Sequence, residues 1–323
     1  MAHSGRLRVA MIGAGTMANT VHYPSLASMS DVEFAGICDL DRVRLQTTAD
    51  KYQIAARYTD YRNMIEAQAP DAVYAIGQPN IMYDIWVWCL QHKLNLYIEK
   101  PMGITLHQAR ILAYLAEKNG SITQVSFQRR TSPIAVKLRE ICLARGPIVH
   151  AVCRFYKCQH APYLDARDHM LDDGVHAIDT LRWLCGGEVV RIQSEMRRVQ
   201  TPDYNLIIAI LHFDNDATGM LMNSWSSGRR IFAVEMHAPQ ICAEVEMENM
   251  GYVYADGDTS GTAYDTHQVA GSDQLYVYGG FLAKNREFVD AVKNGTQPGS
   301  SFADAVKTME VAEKILAQST LQA

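Results

Sequence analysis

Two short stretches carry side chains suited to moving protons. Glu99-Lys100-Pro101 follows residues 94–98, an apolar run that reads as a strand. In an open parallel sheet the carboxyl ends of the strands border the ligand crevice. A lysine there can donate a hydrogen bond to a substrate hydroxyl and stabilise alkoxide charge as hydride leaves. Alone the tripeptide says little, because Lys-Pro is common in turns. The second stretch is Asp172-Asp173-Gly174-Val175-His176-Ala177-Ile178-Asp179. A helix that starts near Asp172 sets Asp172, His176 and Asp179 on one face at i, i+4 and i+7. A neutral imidazole can take a proton from a hydroxyl near neutral pH, and a neighbouring carboxylate orients the ring. The plainer alternative makes Asp172 a helix cap and His176 an ordinary surface residue.

The same region invites a metal reading. His160, Asp165, Asp168, His169, Asp172, Asp173, His176 and Asp179 supply many ligand atoms, and two histidines with a carboxylate can hold zinc. Cys153 and Cys158 flank the stretch without a partner pair. Acidic, His-rich loops are usually solvated, so no metal is expected. Arg154, Tyr156, Tyr163 and Tyr252 are candidates to line a sugar pocket, although aromatic residues at strand spacing more often build core.

Chemistry of this kind needs an electron carrier, and the N-terminus offers a place for one. Gly13-Ala14-Gly15-Thr16-Met17-Ala18 fits G-x-G-x-x-G/A between a strand and a helix. Gly13 permits the tight turn, Gly15 lets the backbone approach a pyrophosphate, and Ala18 lets helix and strand pack closely. The helix N-terminus favours an anion. Asp39 ends the second strand, 24 residues after Gly15. Its carboxylate can accept from a ribose diol and would repel a 2′-phosphate, which favours NAD over NADP. Arg42 is the nearby group that could contact such a phosphate, and capping of the next helix is the competing role for Asp39.

The elements that must position these groups follow from periodicity. Leu7–Ile12 reads as a strand buried on both faces, and residues 15–29 read as helix. Strands at 32–38, 71–76, 94–98 and 121–127 alternate with helices at 41–52, 60–68, 80–92 and 105–119, the last closed by Gly120. Such alternation implies a parallel sheet. The second half reads as a strand at 148–156, a helix at 172–185, and consecutive strands at 189–199, 204–213, 217–225, 230–238 and 241–248, with a turn at Asp214-Asn215-Asp216. That order implies an antiparallel sheet. Helices follow at 280–293 and 302–318. The division is expected near Gln124, as 1–124 and 125–323, with the last helix packing back on the first domain.

Composition excludes other classes. The chain has 323 residues, 48% apolar and 20% charged, with 30 Lys plus Arg against 35 Asp plus Glu, a formal charge of −5. That suits a folded chain of about two domains with no basic footprint for nucleic acid. The best uncharged apolar run, 206–211, falls short of the ~20 residues that span a bilayer, so no membrane partner is expected. Residues 7–12 run straight into the glycine turn, unlike a signal peptide. Seven cysteines, an odd number, suit free thiols in the cytoplasm.

In this order the glycine turn, Asp39, Glu99-Lys100-Pro101 and Asp172-Asp173-Gly174-Val175-His176 resemble the Gfo/Idh/MocA oxidoreductase family over nearly the whole chain. The resemblance implies an α/β protein: an N-terminal doubly wound Rossmann domain and a C-terminal α/β domain with a large open, mostly antiparallel sheet. That sheet would form a homodimer or homotetramer. It implies NAD(P)-dependent hydride transfer at a hydroxyl-bearing carbon of a sugar, cyclitol or sugar derivative. Lys100 would position the hydroxyl, His176 would be the acid/base and Asp172 would assist. Ile12, Gly13, Gly15, Thr16, Met17, Asp39, Gln78, Pro79, Glu99, Lys100, Pro101 and Gln128 would hold the cofactor. Lys100, Arg154, Tyr163, Asp172 and His176 would hold the substrate. Three places depart from or qualify the family pattern: Tyr83 stands where a histidine is usual, Asp173 stands where an apolar residue is usual, and Gln128-Arg129-Arg130 matches but could be purely structural. The same machinery would serve a redox-neutral sugar lyase or glycosidase, and a non-catalytic dinucleotide sensor is the reading from another class.

Overall fold

Leu7–Ile12 is buried along nearly its whole length, as a strand covered on both faces must be. It is the centre of a six-stranded sheet formed by β1 (Leu7–Ile12), β2 (Val32–Cys38), β3 (Arg57–Tyr58), β4 (Ala72–Ala75), β5 (Leu96–Ile98) and β6 (Thr123–Val125) in a computed structural model. The structure describes residues 5–159 and 168–321, with side chains through 318. The strands are parallel and run in the order β3-β2-β1-β4-β5-β6. This is the doubly wound order, whose switch point between β1 and β4 opens a crevice at the carboxyl ends. Helices on the sheet start where the sequence supplies caps: Asp41, Asp60 and Thr105 each accept backbone N–H bonds through the side chain. Gly120, at φ 68°, ends helix Leu106–Asn119. The core joins Val9, Met11, Ile37, Tyr74 and Tyr97 to Phe288, Val289 and Val292 of helix Phe281–Asn294.

Eight further strands form a second sheet: β7 (His150–Cys158), β8 (Val189–Arg197), β9 (Leu206–Phe213), β10 (Thr218–Ser224), β11 (Ser226–Ala238), β12 (Ile241–Glu246), β13 (Met250–Ala255) and β14 (Thr262–Asp265). The order is β14-β13-β12-β11-β7-β10-β9-β8, antiparallel except for the β7–β10 pair. Helices Pro133–Leu143 and Val175–Cys185 cover one face, packed so closely that a Cβ on Gly251 would lie 2.6 Å from Leu138. The other face alternates outward, exposing Met220, Met222 and Tyr252.

The chain divides into two compact units. The first holds the described residues through Phe127, with Leu275–Val277 and Phe281–Val306; the second holds Gln128–Gln274 as far as described, Tyr278–Gly280, and the chain from Lys307. The division thus falls at Phe127, close to the expected Gln124. The helix that returns to the first unit is Phe281–Asn294, because its Phe288, Val289 and Val292 face is buried in that core. Contrary to expectation, the last helix, Phe302–Leu321, has only its start in the first unit, and Arg182 from the second unit reaches its Thr308 at 2.9 Å. No helix among the described residues is long and apolar enough to cross a membrane.

Candidate active site

In the first unit, sheet register lines up the chemistry. Ile12 pairs with Ala75 and Ala75 with Ile98, so β1, β4 and β5 end level. The residues beyond those ends are the glycine turn, Gln78-Pro79 and Glu99-Lys100-Pro101, on one edge of the sheet at the switch point. Gly13 has φ 104°, and a Cβ on it would lie 2.0 Å from the Ile76 carbonyl oxygen, so no other residue fits. Gly15 differs: a Cβ there would meet nothing within 4 Å. The protein leaves open the space that a phosphate group would use. Ile12 is buried, while Thr16 and Met17 at the start of the following helix are exposed. Gln78 is exposed and caps helix Pro79–Gln91 through its backbone, with buried Pro79 in the first turn.

Asp39 stands beside the turn. Its Oδ2 accepts from the Ala14 N–H at 2.7 Å and its Oδ1 from the Asp41 N–H at 2.8 Å. Asp41, not Asp39, caps helix Arg42–Lys51. The basic group nearest Asp39 is Arg44, 3.6 Å away and 3.3 Å from Asp41. The sequence reading looked to Arg42 instead. An open turn, a helix N-terminus and an aimed carboxylate together fit an adenine dinucleotide.

Glu99 is 6% exposed, Pro101 is buried and Lys100 is part-exposed. Behind them sits a histidine that sequence reasoning missed. A π-helical stretch, Ala18–His22, precedes helix Tyr23–Ala27, and His22 is fully buried there. Its Nε2 lies 2.9 Å from Glu99 Oε1 and its Nδ1 3.2 Å from Asn285 Oδ1.

In the second unit the acidic segment is not one regular helix. Asp168 Oδ1 accepts from the Leu171 N–H at 2.7 Å, a π-helical turn spans Met170–Gly174, and helix Val175–Cys185 follows. Such π-turns occur often at functional sites. Asp172 is partly exposed, while His176 is 7% exposed and is no surface residue. Asp179 is drawn into a buried ion pair: Arg130 Nε reaches its Oδ2 at 2.7 Å and a second Arg130 nitrogen its Oδ1 at 2.5 Å. The Gln128-Arg129-Arg130 stretch is structural in this respect, since Arg129 also lies over the Phe232 ring and 3.2 Å from Glu248.

Asp173, unexpected at its position, is an anchor. Its Oδ2 accepts from Trp225 Nε1 at 2.9 Å and from Lys157 Nζ at 2.5 Å. His169 stacks on Trp225 with centroids 4.3 Å apart and sets Nε2 3.0 Å from Asp203. Burial pushes the His169 pKa down against the pull of Asp203, Asp173, Asp168 and Asp172, and burial pushes Asp168 up. Asn223 is fully buried next to Gly174, and neither atom of its amide has a hydrogen-bond partner.

Strand parity sets the face of Arg154. Arg154 is level with exposed Met222 on β10, whereas Phe155 is level with buried Asn223. Arg154 therefore points to the open face, 3.2 Å from Glu235, in a groove of about 280 Å³ shared with Tyr252. Tyr156 lies on the same face, beside Met222. Lys157 shares the helix-side parity of Cys153 and Phe155 on β7, and sequence reasoning passed over it. Gln128 is buried at the start of the second unit, and its carbonyl accepts from Thr131 Oγ1 at 3.0 Å. Tyr163, His160 and Asp165 lie outside the described residues. Among the described residues no three His, Cys, Asp or Glu side chains form a metal-ligand group.

Comparison with known proteins agrees with this geometry. Residues 7–127 match the family model described as oxidoreductase family, NAD-binding Rossmann fold, and residues 145–246 match the GFO/IDH/MocA C-terminal domain. Myo-inositol 2-dehydrogenase of Thermotoga maritima is 24% identical over 319 residues, covering 92% of each chain. D-glucoside 3-dehydrogenase of Escherichia coli K12 is 28% identical over 198 residues, which are 58% of this chain and 56% of the relative. Among solved structures, a dehydrogenase from Chromobacterium violaceum superposes with TM-score 0.88 at 20% identity, over 98% of this chain and 96% of the other.

Proposed function

The chain belongs to the Gfo/Idh/MocA oxidoreductase family, and on that premise we propose that it is an NAD-dependent dehydrogenase acting on a hydroxyl-bearing carbon of a sugar, cyclitol or sugar derivative. One observation carries the reading: the level ends of β1, β4 and β5 set an open glycine turn and Lys100 on the same edge of one sheet. Relatives named for inositol and glucosides support the substrate class. NAD, when bound, supplies the hydride acceptor. Gly13, Gly15, Thr16, Met17, Gln78 and Pro79 line its phosphate path, and Asp39 accepts from the ribose diol and repels a 2′-phosphate. Lys100 donates to the reacting hydroxyl and stabilises its oxygen as charge develops. His176 takes the hydroxyl proton and Asp172 orients the substrate beside it. Lys157, fixed by Asp173, adds a donor for a further substrate hydroxyl.

Exposed Met220, Met222 and Tyr252 on the open sheet face support a homodimer or homotetramer through that face. Cysteines outside disulfides suit a cytoplasmic location. A thermal-shift screen with NAD, NADP and a panel of sugars and polyols tests the proposal. NAD at 100 times its dissociation constant stabilises the fold by about 2.7 kcal/mol. Its ligand pair should then be followed for NADH: steady accumulation supports a dehydrogenase, whereas product without net NADH points to the redox-neutral lyase chemistry. Failure of NAD to shift the transition refutes the reading.

A further inference from the structure

We propose that His22 is a positioning residue for Lys100, acting through Glu99, and that the buried His22–Glu99 pair holds one shared proton. The role assigned to Lys100 rests on the dehydrogenase reading; the shared proton does not.

Hydrogen-bond accounting gives the proton. Asn285 Nδ2 donates to the Phe281 carbonyl at 2.8 Å, so the amide turns its Oδ1 toward His22 Nδ1, 3.2 Å away. A carbonyl oxygen only accepts, so Nδ1 carries hydrogen. On the other side, Nε2 and Glu99 Oε1 are 2.9 Å apart. That contact holds one proton, either on the ring as imidazolium beside carboxylate, or on the carboxyl as acid beside a neutral ring. Any state with Nδ1 bare sets two acceptors against each other.

The surroundings lock this arrangement. β4 presents Tyr74, β5 presents Tyr97 with Glu99 just beyond its end, and helix Phe281–Asn294 presents Phe281 and Asn285. Ring centroids lie 5.2 Å from Tyr97 and 6.1 Å from Tyr74 and Phe281. Burial raises both tyrosine pKa values well above normal, so neither phenol supplies charge. Glu99 then reaches forward: its Oε2 accepts from the Lys100 N–H at 3.3 Å. A chain of contacts thus runs from Asn285 through His22 and Glu99 to the backbone of Lys100. The π-helical stretch is what turns His22 inward. With His22 bound to Oε1, Glu99 is held in place and does not swing out to capture the Lys100 ammonium.

Two measurements on the full chain test this. In nitrogen-15 spectra of labelled protein, with His22 assigned by its loss in His22→Gln, Nδ1 should carry hydrogen and Nε2 should show hydrogen bonding through a proton it shares with Glu99. A bare Nδ1, or an Nε2 without such a bond, overturns the arrangement. In steady-state assays on a sugar or polyol the wild type oxidises, His22→Leu should lower kcat by about 10- to 100-fold with the KM for NAD within about threefold. His22→Gln, which still donates to Glu99, should recover part of the loss. Unchanged kcat in folded His22→Leu overturns the positioning role. If His22→Leu does not fold, Asn285→Leu takes its place and should lower kcat while sparing the KM for NAD; unchanged kcat there overturns the role equally. A wild type that oxidises no sugar refutes the dehydrogenase reading and with it the role of His22, while the spectrum still decides the proton.

Discussion

Asp39 braces the glycine turn through the Ala14 N–H. In the proposed function the same carboxylate meets the ribose diol. Arg44 lies within reach of the same carboxylate and is 56% exposed, free to turn toward a phosphate. Asp39→Asn keeps an oxygen for the Ala14 N–H but removes the charge. A hydrogen bond to a charged group is worth about 1.5–3 kcal/mol, so the ratio of kcat/KM for NAD over NADP should fall about 10- to 100-fold. An unchanged ratio in steady-state assays with both cofactors would take Asp39 out of cofactor selection. Burial pushes the Cys38 and Cys89 thiols up to about 12, which keeps these two protonated near neutral pH.

At the scale of elements, helix Phe281–Asn294 is clamped to the start of β2. Asp31 accepts from Arg286 at 2.7 Å and pairs with Lys293, and these partners hold its carboxyl well below the usual range. A depressed folded-state pKa contributes stability above the unfolded value, and that contribution is lost as pH falls toward the folded value. Asp31 is 39% exposed, so solvent screening limits the pair. Asp31→Asn should cost roughly 0.5–1 kcal/mol at neutral pH in denaturant titration, with the gap closing below about pH 4. A gap that persists in acid would assign the loss to something other than charge. The order of elements was legible in the sequence because buried strands and helix stops leave strong marks: the run of Leu7–Ile12 and Gly120 as a stop. Both π-helical stretches were not, since apolar spacing at 3.6 residues hides one inserted residue. That insertion is what buries His22. The face of Arg154 was hidden for another reason: alternation shows which residues share a face but not which face the helices cover. Asp173 stood out in the sequence and Lys157 did not, because their pairing depends on a fold that brings β7 beside the 170–174 turn.

At the scale of the whole molecule, the open face of the second sheet predicts assembly. Met220→Asp with Met222→Asp puts charge on that face without touching its packed side, so sedimentation should report an oligomer for the wild type and a monomer for the variant. A wild type that sediments as a monomer removes the interface. The central claim is the role proposed for Lys100 and His176. Losses from removing residues that serve one proposed step do not add. The direct test is kcat/KM for NADH formation by wild type, Lys100→Met, His176→Asn and the double variant, with NAD binding checked by thermal shift in each. Each single variant should lose about 100-fold or more, and the double variant should be little worse than the weaker single one. Either single variant turning over at the wild-type rate would contradict it.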